Sequence, residues 1–379
     1  MTAPRIEADL DKVEQNTRIL VDRLAVAGIR VTGVTKAVLG SPAVAAAMLR
    51  GGACGLGDSR VPNLARLAGL GTSRTLIRSP MLSQVGRVVL VSDISLNTEA
   101  VVLAALDRAA FRERRTHGII LMIELGDLRE GIAVADVPEA VRAVLGHPSL
   151  RLVGLGGNLA CQNGVVPDDR NMGVLSGLVD ATEGLHGITL DVVSGGNSAN
   201  LDWAFGSHDV GRVDQLRLGE AILLGVDPLY RTPIVGLHTD AFTLTAEVIE
   251  VAVKPVRPWG DRAQAAFGEA PVRTGAGTVR QAILALGHQD VALDGLRPPA
   301  GITVLGMSSD HLVVDLGDHA VAVGDEIDFG VDYGALLRAM TSPFVTTIEQ
   351  RGPATARTMR QRGGHDDAEP GPRTGTGIR

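Results

Sequence analysis

Between Arg30 and Leu216, short runs rich in Val, Ile and Leu alternate with helix-patterned ones, and that alternation most narrows the folds open to this chain. Strands are expected near Arg30–Thr35, Ala53–Gly57, Thr75–Arg78, Asp93–Leu96, Gly118–Glu124, Leu152–Gly156, Thr189–Val193 and Gln215–Leu216. Helical patterns such as Pro42–Leu49, Pro62–Leu67, Thr98–Ala110, Pro138–Leu145 and Asn171–Thr182 lie between them. Eight strands alternating with helices is the pattern of an α/β fold of the (β/α)8 barrel type; an open doubly wound sheet is the competing reading. Ahead of this unit, Arg5–Ala8 reads as a short strand, and Asp9 can cap a helix running through Leu20 and Leu24. From about Thr232 the texture changes to Phe242–Val253, Val279–Leu286, Gly301–Leu305, His311–Leu316 and Ala320–Phe329, strand-like runs without intervening helices. The expected division is a barrel over residues 1–231, with Arg5–Ala8 a candidate to join the second unit, and a mostly-β domain over 232–350. The tail over 351–379 holds almost no apolar residue and is expected to be disordered.

Composition enters as a set of exclusions. A formal charge of −7, with no basic block interleaved with aromatics, argues against a nucleic-acid surface. The N-terminal residues lack an apolar leader region, and the longest apolar runs are too short to span a bilayer, so no membrane association and a cytoplasmic location are expected. Cys54 and Cys161 read as reduced thiols. The nine histidines form no metal-ligand spacing, so no metal is expected.

Lys36 is the residue to explain. The chain has only three lysines, Lys12, Lys36 and Lys254, and Lys36 ends the first barrel strand. An amine at the end of a buried strand either snorkels to solvent or is used, because burial penalises the ammonium and favours the neutral amine that attacks carbonyl groups. A barrel gathers its site at the C-terminal ends of its strands. The polar residues expected there are Lys36, Asp58–Ser59–Arg60, Arg78, Asn97, Asp127 with Arg129, Asn158, Ser194–Gly195–Gly196–Asn197–Ser198 and Arg217 with Gly219. One amine, several arginines and a glycine-serine turn able to cradle a phosphate suit a phosphorylated carbonyl cofactor.

At this point the chain resembles the alanine racemase family of pyridoxal-phosphate (PLP) enzymes, and within it the ornithine racemase branch, over about residues 3–347. The resemblance rests on Val34–Thr35–Lys36, Asp58–Ser59–Arg60 with Asn63–Leu64, Glu124–Gly131, Val193–Ser198, Leu216–Glu220, Gly287–Asp290, Ser308–His311 and Asp332–Leu337, in that order. It implies a PLP-binding barrel followed by a β domain, assembled as a homodimer with shared active sites. It further implies that Lys36 anchors the cofactor covalently and serves as one of two proton-transfer bases. Arg217 would face the pyridine nitrogen, and the phosphate would be held by Ser198, the backbone at Gly219 and Tyr333. Ser194 and Asn197 belong to the same cofactor set. Arg129 would lie near the cofactor's phenolic oxygen and the substrate carboxylate, and Asn158 falls where many relatives place a ring-contacting histidine.

Racemisation needs a second base on the opposite face of Cα, and the position implied is His288, contributed by the neighbouring subunit. Alanine racemases have a tyrosine there; histidine exchanges protons near neutrality with less assistance. Its bland alternative is a solvated loop histidine. Two further departures point away from strict alanine specificity. The tyrosine of Ala-Asp-Ala-Tyr-Gly is absent from Ala37–Val38–Leu39–Gly40, and Met122 stands near the place of the family's modified lysine. A substrate side-chain amine would need an acidic partner, for which Asp58, Asp127, Asp290 and Asp310 are candidates; Asp58 could equally pair with Arg60 or Arg78. Arg129, Asp290, Ser309 and Asp310 form the expected substrate set. The leading expectation is a two-base amino-acid racemase acting on ornithine or a related basic or polar amino acid. The alternatives are an alanine or broad-specificity racemase and, in another class, a non-catalytic PLP-homeostasis protein. An aldolase or lyase on a similar barrel would carry a metal-binding His/Cys pair, which the sequence lacks.

Overall fold

The computed structural model describes residues 3–207, 209–268 and 273–352, together with the backbone of Met359–Arg360. The chain begins with β1 (Arg5–Asp9) and α1 (Leu10–Ala25), whose first turn is capped by the Asp9 carboxylate accepting the N–H groups of Asp11 and Lys12, each at 3.1 Å. Eight units follow: β2 (Arg30–Val34), α2 (Pro42–Arg50), β3 (Gly55–Asp58), α3 (Val61–Arg66), β4 (Arg74–Leu76), α4 (Val85–Val91), β5 (Ile94–Asn97), α5 (Ala100–Arg112), β6 (His117–Met122), α6 (Val137–Leu145), β7 (Leu150–Gly156), α7 (Asp169–His186), β8 (Val192–Gly196), α8 (Leu201–Gly206), β9 (Gln215–Leu218) and α9 (Glu220–Leu224). The strands are all parallel and close on themselves, β9 pairing back onto β2 with Arg217 opposite Thr32. The barrel reading therefore holds over the open sheet. Closure explains why β6 is buried at every position: one face meets the barrel interior of Leu96, Ile120, Met122, Val153 and Val192, the other the helices.

The second sheet is built on the long strand β10 (Phe242–Pro255). A bulge between Val248 and Glu250 lets its two halves serve different neighbours. Its second half pairs with β11 (Thr278–Leu284), which leads past β12 (Leu296–Arg297) to the hairpin of β13 (Thr303–Met307) and β14 (Leu312–Asp315). Its first half pairs with β15 (Glu326–Val331), and β1 lies between β10 and β16 (Thr346–Gln350), antiparallel to the first and parallel to the second. The first strand is thus part of this sheet. Of the expected tail, the described part includes Arg351, Gly352 and a two-residue strand, β17 (Met359–Arg360), paired with β15; the rest of 351–379 lies outside the described residues. Among the described residues, no helix is long and apolar enough to cross a membrane.

Two differences from the sequence reading have physical reasons. Helices α4, α8, α9 and α10 (Tyr333–Thr341) were not expected; α4, α8 and α9 span only five to seven residues, too short to show a 3.6-residue period. Strand β8 runs to Gly196 rather than ending at Val193, because Gly195 is packed where a Cβ would come within 2.6 Å of Val213. The Ser-Gly-Gly segment is strand, and the turn that follows is Ser198–Asn200, capped by Asn197.

The sheet is fastened at its centre by Arg5, which is fully buried and bonds Glu7 at 2.7 Å and, bidentately, Glu326 at 2.7 and 2.9 Å. Burial alone would lower the pKa of this guanidinium, and the two carboxylates outweigh that and raise it.

Candidate active site

Lys36 opens a single turn of 3-10 helix, Lys36–Val38, directly after β2. The turn is held from beneath by Thr35, whose N–H bonds the Gly57 carbonyl at 2.9 Å and whose hydroxyl donates to Asp58 at 2.7 Å. Asp58 is fully buried and also accepts the Arg60 backbone N–H at 2.9 Å and the Asn63 amide at 3.0 Å; burial raises its pKa against these donors. It is therefore a knot joining β2 to β3, with neither the Arg60 nor the Arg78 side chain as an ion partner, and it does not face a substrate. Gly40, at φ 62°, completes the turn; a Cβ there would come within 2.8 Å of Asn63.

The Lys36 amine looks into a cavity of about 330 Å³, within the range of small-ligand sites. Arg129, Asn158, Asn197, Ser198, Arg217, Gly219 and Tyr333 all reach its wall, so the structure brings together every expected cofactor residue but one. Ser194 is the exception: it stands behind Arg217, accepting a bond from that guanidinium and donating to Gln215 at 2.8 Å. The guanidinium also donates to the Gly157 carbonyl at 2.8 Å and toward the Asn158 amide oxygen at 3.5 Å. All of these acceptors are neutral. Desolvation pushes its pKa down to about 10, so it remains charged at neutral pH.

Asn158 supplies a second unmet demand. Its oxygen is fixed by donors from Arg217 and Asn197, and its buried Nδ2 has no acceptor among the described residues. On the far side, Tyr333 enters at the start of α10, whose N-cap Asp332 accepts the Ala335 N–H at 2.8 Å. The Lys36 Nζ lies 6.0 Å from its ring centre. Burial, then the Glu220 charge, pushes the phenol's pKa well above its usual value, so it stays a hydrogen-bond donor. Next to it, the Ser198 oxygen accepts the Ala221 N–H at 3.2 Å, leaving its own O–H to point elsewhere.

Four cationic side chains (Lys36, Arg129, Arg217, Arg231) and two acidic ones (Glu130, Glu220) line the cavity, a formal excess of two positive charges. That excess, the orphaned Asn158 amide and an Arg217 bonded only to neutral acceptors fit an anionic, ring-nitrogen-containing group such as PLP. Sequence reasoning did not assign Glu130, Cys161, Glu220 or Arg231. Glu130 pairs with Arg129, whose pKa this pairing raises against desolvation, and Glu220 pairs with Arg231. Glu130 and Glu220 lie inside stretches already singled out; Arg231 lies on the boundary between the two units and carries no local signal.

The β-domain residues lie elsewhere in the chain. His288 lines a separate groove of about 950 Å³, with its ring centre 4.3 Å from that of Phe267. Its turn meets the Ser308–Asp310 turn through His288 N–H to the Ser308 carbonyl at 2.9 Å and Gln289 N–H to the Ser309 carbonyl at 3.2 Å. A Cβ on Gly287 would fall 2.0 Å from the Ser309 carbonyl oxygen, so only glycine permits this approach. Asp310 is exposed and accepts from Ser309 at 2.7 Å and Gln289 at 2.5 Å. Asp290, expected to contact substrate, is instead buried and turned inward, accepting the Gly287 N–H at 3.0 Å and the Ser342 hydroxyl at 3.1 Å. Asp127 is likewise committed: burial acts to raise its pKa, but the backbone N–H groups of Gln162, Asn163, Val165 and Cys161 outweigh it and hold the carboxylate low. Among the described residues, no cluster of three or more His, Cys, Asp or Glu side chains could hold a metal ion.

Comparison with known proteins agrees with this geometry. A family model described as alanine racemase, N-terminal domain, matches residues 8–228. The chain is 34% identical over 346 residues to an ornithine racemase of Acetoanaerobium sticklandii, spanning 90% of this chain and 98% of that protein. It is 36% identical over 353 residues to a lysine racemase of Thermotoga maritima, spanning 92% and 99%. Among solved structures it is similar to the alanine racemase of Streptomyces lavendulae, with a TM-score of 0.73 at 20% identity over 93% of this chain and 99% of that one. The D-threonine aldolase of Filomicrobium marinum has a TM-score of 0.72 at 17% identity, over 93% and 91%, so the fold alone is common to different chemistries.

Proposed function

The chain belongs to the alanine racemase family, and on that premise we propose that it is a PLP-dependent amino-acid racemase whose substrate is ornithine or a related basic amino acid. The observation that carries the reading is a single cavity holding the Lys36 amine together with a buried Arg217 whose acceptors among the described residues are all neutral. When bound there, the cofactor withdraws electron density from the α-carbon of an amino acid and acidifies its Cα–H.

The remaining work falls to the chain. Lys36 holds the cofactor and moves a proton on one face of Cα. Arg217, charged at neutral pH, offers a hydrogen bond rather than a proton at the ring-nitrogen end; electron withdrawal stays modest and return of the proton to Cα is favoured. Ser198 and the Tyr333 hydroxyl donate at the phosphate end, and Arg129 serves the substrate carboxylate. His288 of the same chain lines a different groove, and this supports a reading in which His288 of a second copy is the second base and a homodimer is the working unit. With Asp58, Asp127 and Asp290 committed to internal bonds, exposed Asp310, oriented by Ser309 and Gln289, is the partner for a side-chain amine.

The test is Cα hydrogen–deuterium exchange followed by NMR on the holoprotein, with chirality analysed in parallel, for both enantiomers of ornithine, lysine, alanine and serine. Exchange with inversion for ornithine or lysine, well above alanine, is expected. Exchange without inversion contradicts the second base, and no exchange with any of them contradicts the racemase reading.

A further inference from the structure

One cation on the cavity wall has no place in the chemistry above. Arg231 ends a closed turn after α9. The Asp227 carboxylate accepts the N–H groups of Leu229 at 3.3 Å and Tyr230 at 2.9 Å, the Asp227 carbonyl accepts the Arg231 N–H at 2.9 Å, and the Asp227 N–H bonds the Thr232 carbonyl at 2.8 Å. Arg231 itself is held at φ 59°, a left-handed conformation that residues with a β-carbon rarely adopt. Such an outlier persists only where its surroundings over-determine it. The turn carries the guanidinium back over the start of α9, where it pairs with Glu220, the residue after Gly219.

The pair is asymmetric. The Glu220 side chain is 13% exposed, whereas that of Arg231 is 59% exposed and retains donors beyond the one given to Glu220. The other three cations are placed differently: Arg129 is tied to Glu130, Arg217 lies over Ser194 and Gly157, and Lys36 starts its own turn. An anion resting on Ser198 and Gly219 would meet the Glu220 carboxylate first, and that charge would repel it. Arg231 both cancels the charge and brings a guanidinium suited to phosphate oxygens.

We propose that Arg231 is an anion-binding residue that grips the cofactor's phosphate group alongside Ser198 and the Gly219 backbone, with Glu220 orienting it. The proposal rests on the PLP reading, and its test separates the two. Equilibrium dialysis of the cofactor-stripped full chain against PLP and against phosphate-free pyridoxal measures how strongly the phosphate is recognised. Wild type should prefer PLP. Arg231→Met should weaken PLP binding at least about tenfold and alter pyridoxal binding less than about twofold. Arg231→Lys, which keeps the charge without the planar fork, should retain an intermediate preference, and serves if the Met variant does not fold. An unchanged PLP-to-pyridoxal ratio in the folded variants overturns the role of Arg231 while leaving the PLP reading standing. Equal binding of the two ligands by wild type overturns both.

Discussion

At the mouth of the barrel, polar side chains arrive from successive strands and are braced from behind: Ser194 and Gly157 hold Arg217, and Asp58 holds the Thr35 turn that carries Lys36. In the β domain, His288, Ser309 and Asp310 come from two apposed turns, and their neighbours, Phe267, Gln289 and Arg338, are largely at the surface. The first set is preorganised inside one chain and encloses a cavity. Of the second set, His288 lines an open groove whose described wall carries no lysine and, where the cavity has the buried Arg217, an exposed Arg338 that donates to the His288 carbonyl. The difference teaches that the cavity and the His288 turn are separate features of one chain; on the proposed function they are half-sites that would complete one another where two copies meet.

The comparison can be broken at several points. Lys36→Ala should reduce racemisation by roughly 10⁴-fold or more and abolish the lysine-dependent cofactor absorbance, since on the proposed function one residue supplies both anchor and base. Its stability to urea should stay within about 1 kcal/mol of wild type, because the amine makes no ion pair among the described residues.

The β half should break at its fastening. Arg5→Ala leaves Glu7 and Glu326 buried without their shared cation. It should cost about 3–5 kcal/mol in urea unfolding, and a loss below about 1 kcal/mol would contradict the assigned role.

A smaller, pH-dependent effect belongs to the barrel. His117, buried at the start of β6 beside the Ser95 hydroxyl at 2.8 Å, has its pKa lowered by desolvation from 6.5 to about 4. Between those values the unfolded chain binds a proton that the folded one refuses, so this contribution is present above about pH 6.5 and lost as pH falls through 4. The amount is about 3 kcal/mol at most. His117→Gln should flatten the acid limb of the stability curve, and an unchanged limb would show that His117 does not govern it.

The sequence made the barrel half legible for a physical reason: parallel strands buried on both faces leave apolar runs, and a lysine at the end of one is conspicuous. The same reading missed the short helices α8 and α9 and ended β8 too early, because a strand pressed against its neighbour uses Gly195 and Gly196, the residues that otherwise signal a turn. Carboxylates were the hardest to place. Asp127, Asp290 and Asp310 all lie in polar loop segments, and only the three-dimensional course of the backbone separates the two that accept internal N–H groups from the one left facing outward. Arg231 was invisible for a similar reason, since its position depends on a left-handed turn closed by Asp227.

The most direct measurement mixes two inactive proteins. Lys36→Ala and His288→Ala, each expected to lack racemase activity alone, are unfolded together, refolded and assayed for inversion of ornithine. In a mixed dimer, the barrel with intact Lys36 meets the partner copy that still carries His288, so one of its two sites is whole. With random pairing, activity should return to about one quarter of the wild-type value. A mixture that stays as inactive as its components, although mixed dimers are shown to form, would contradict the two-copy site.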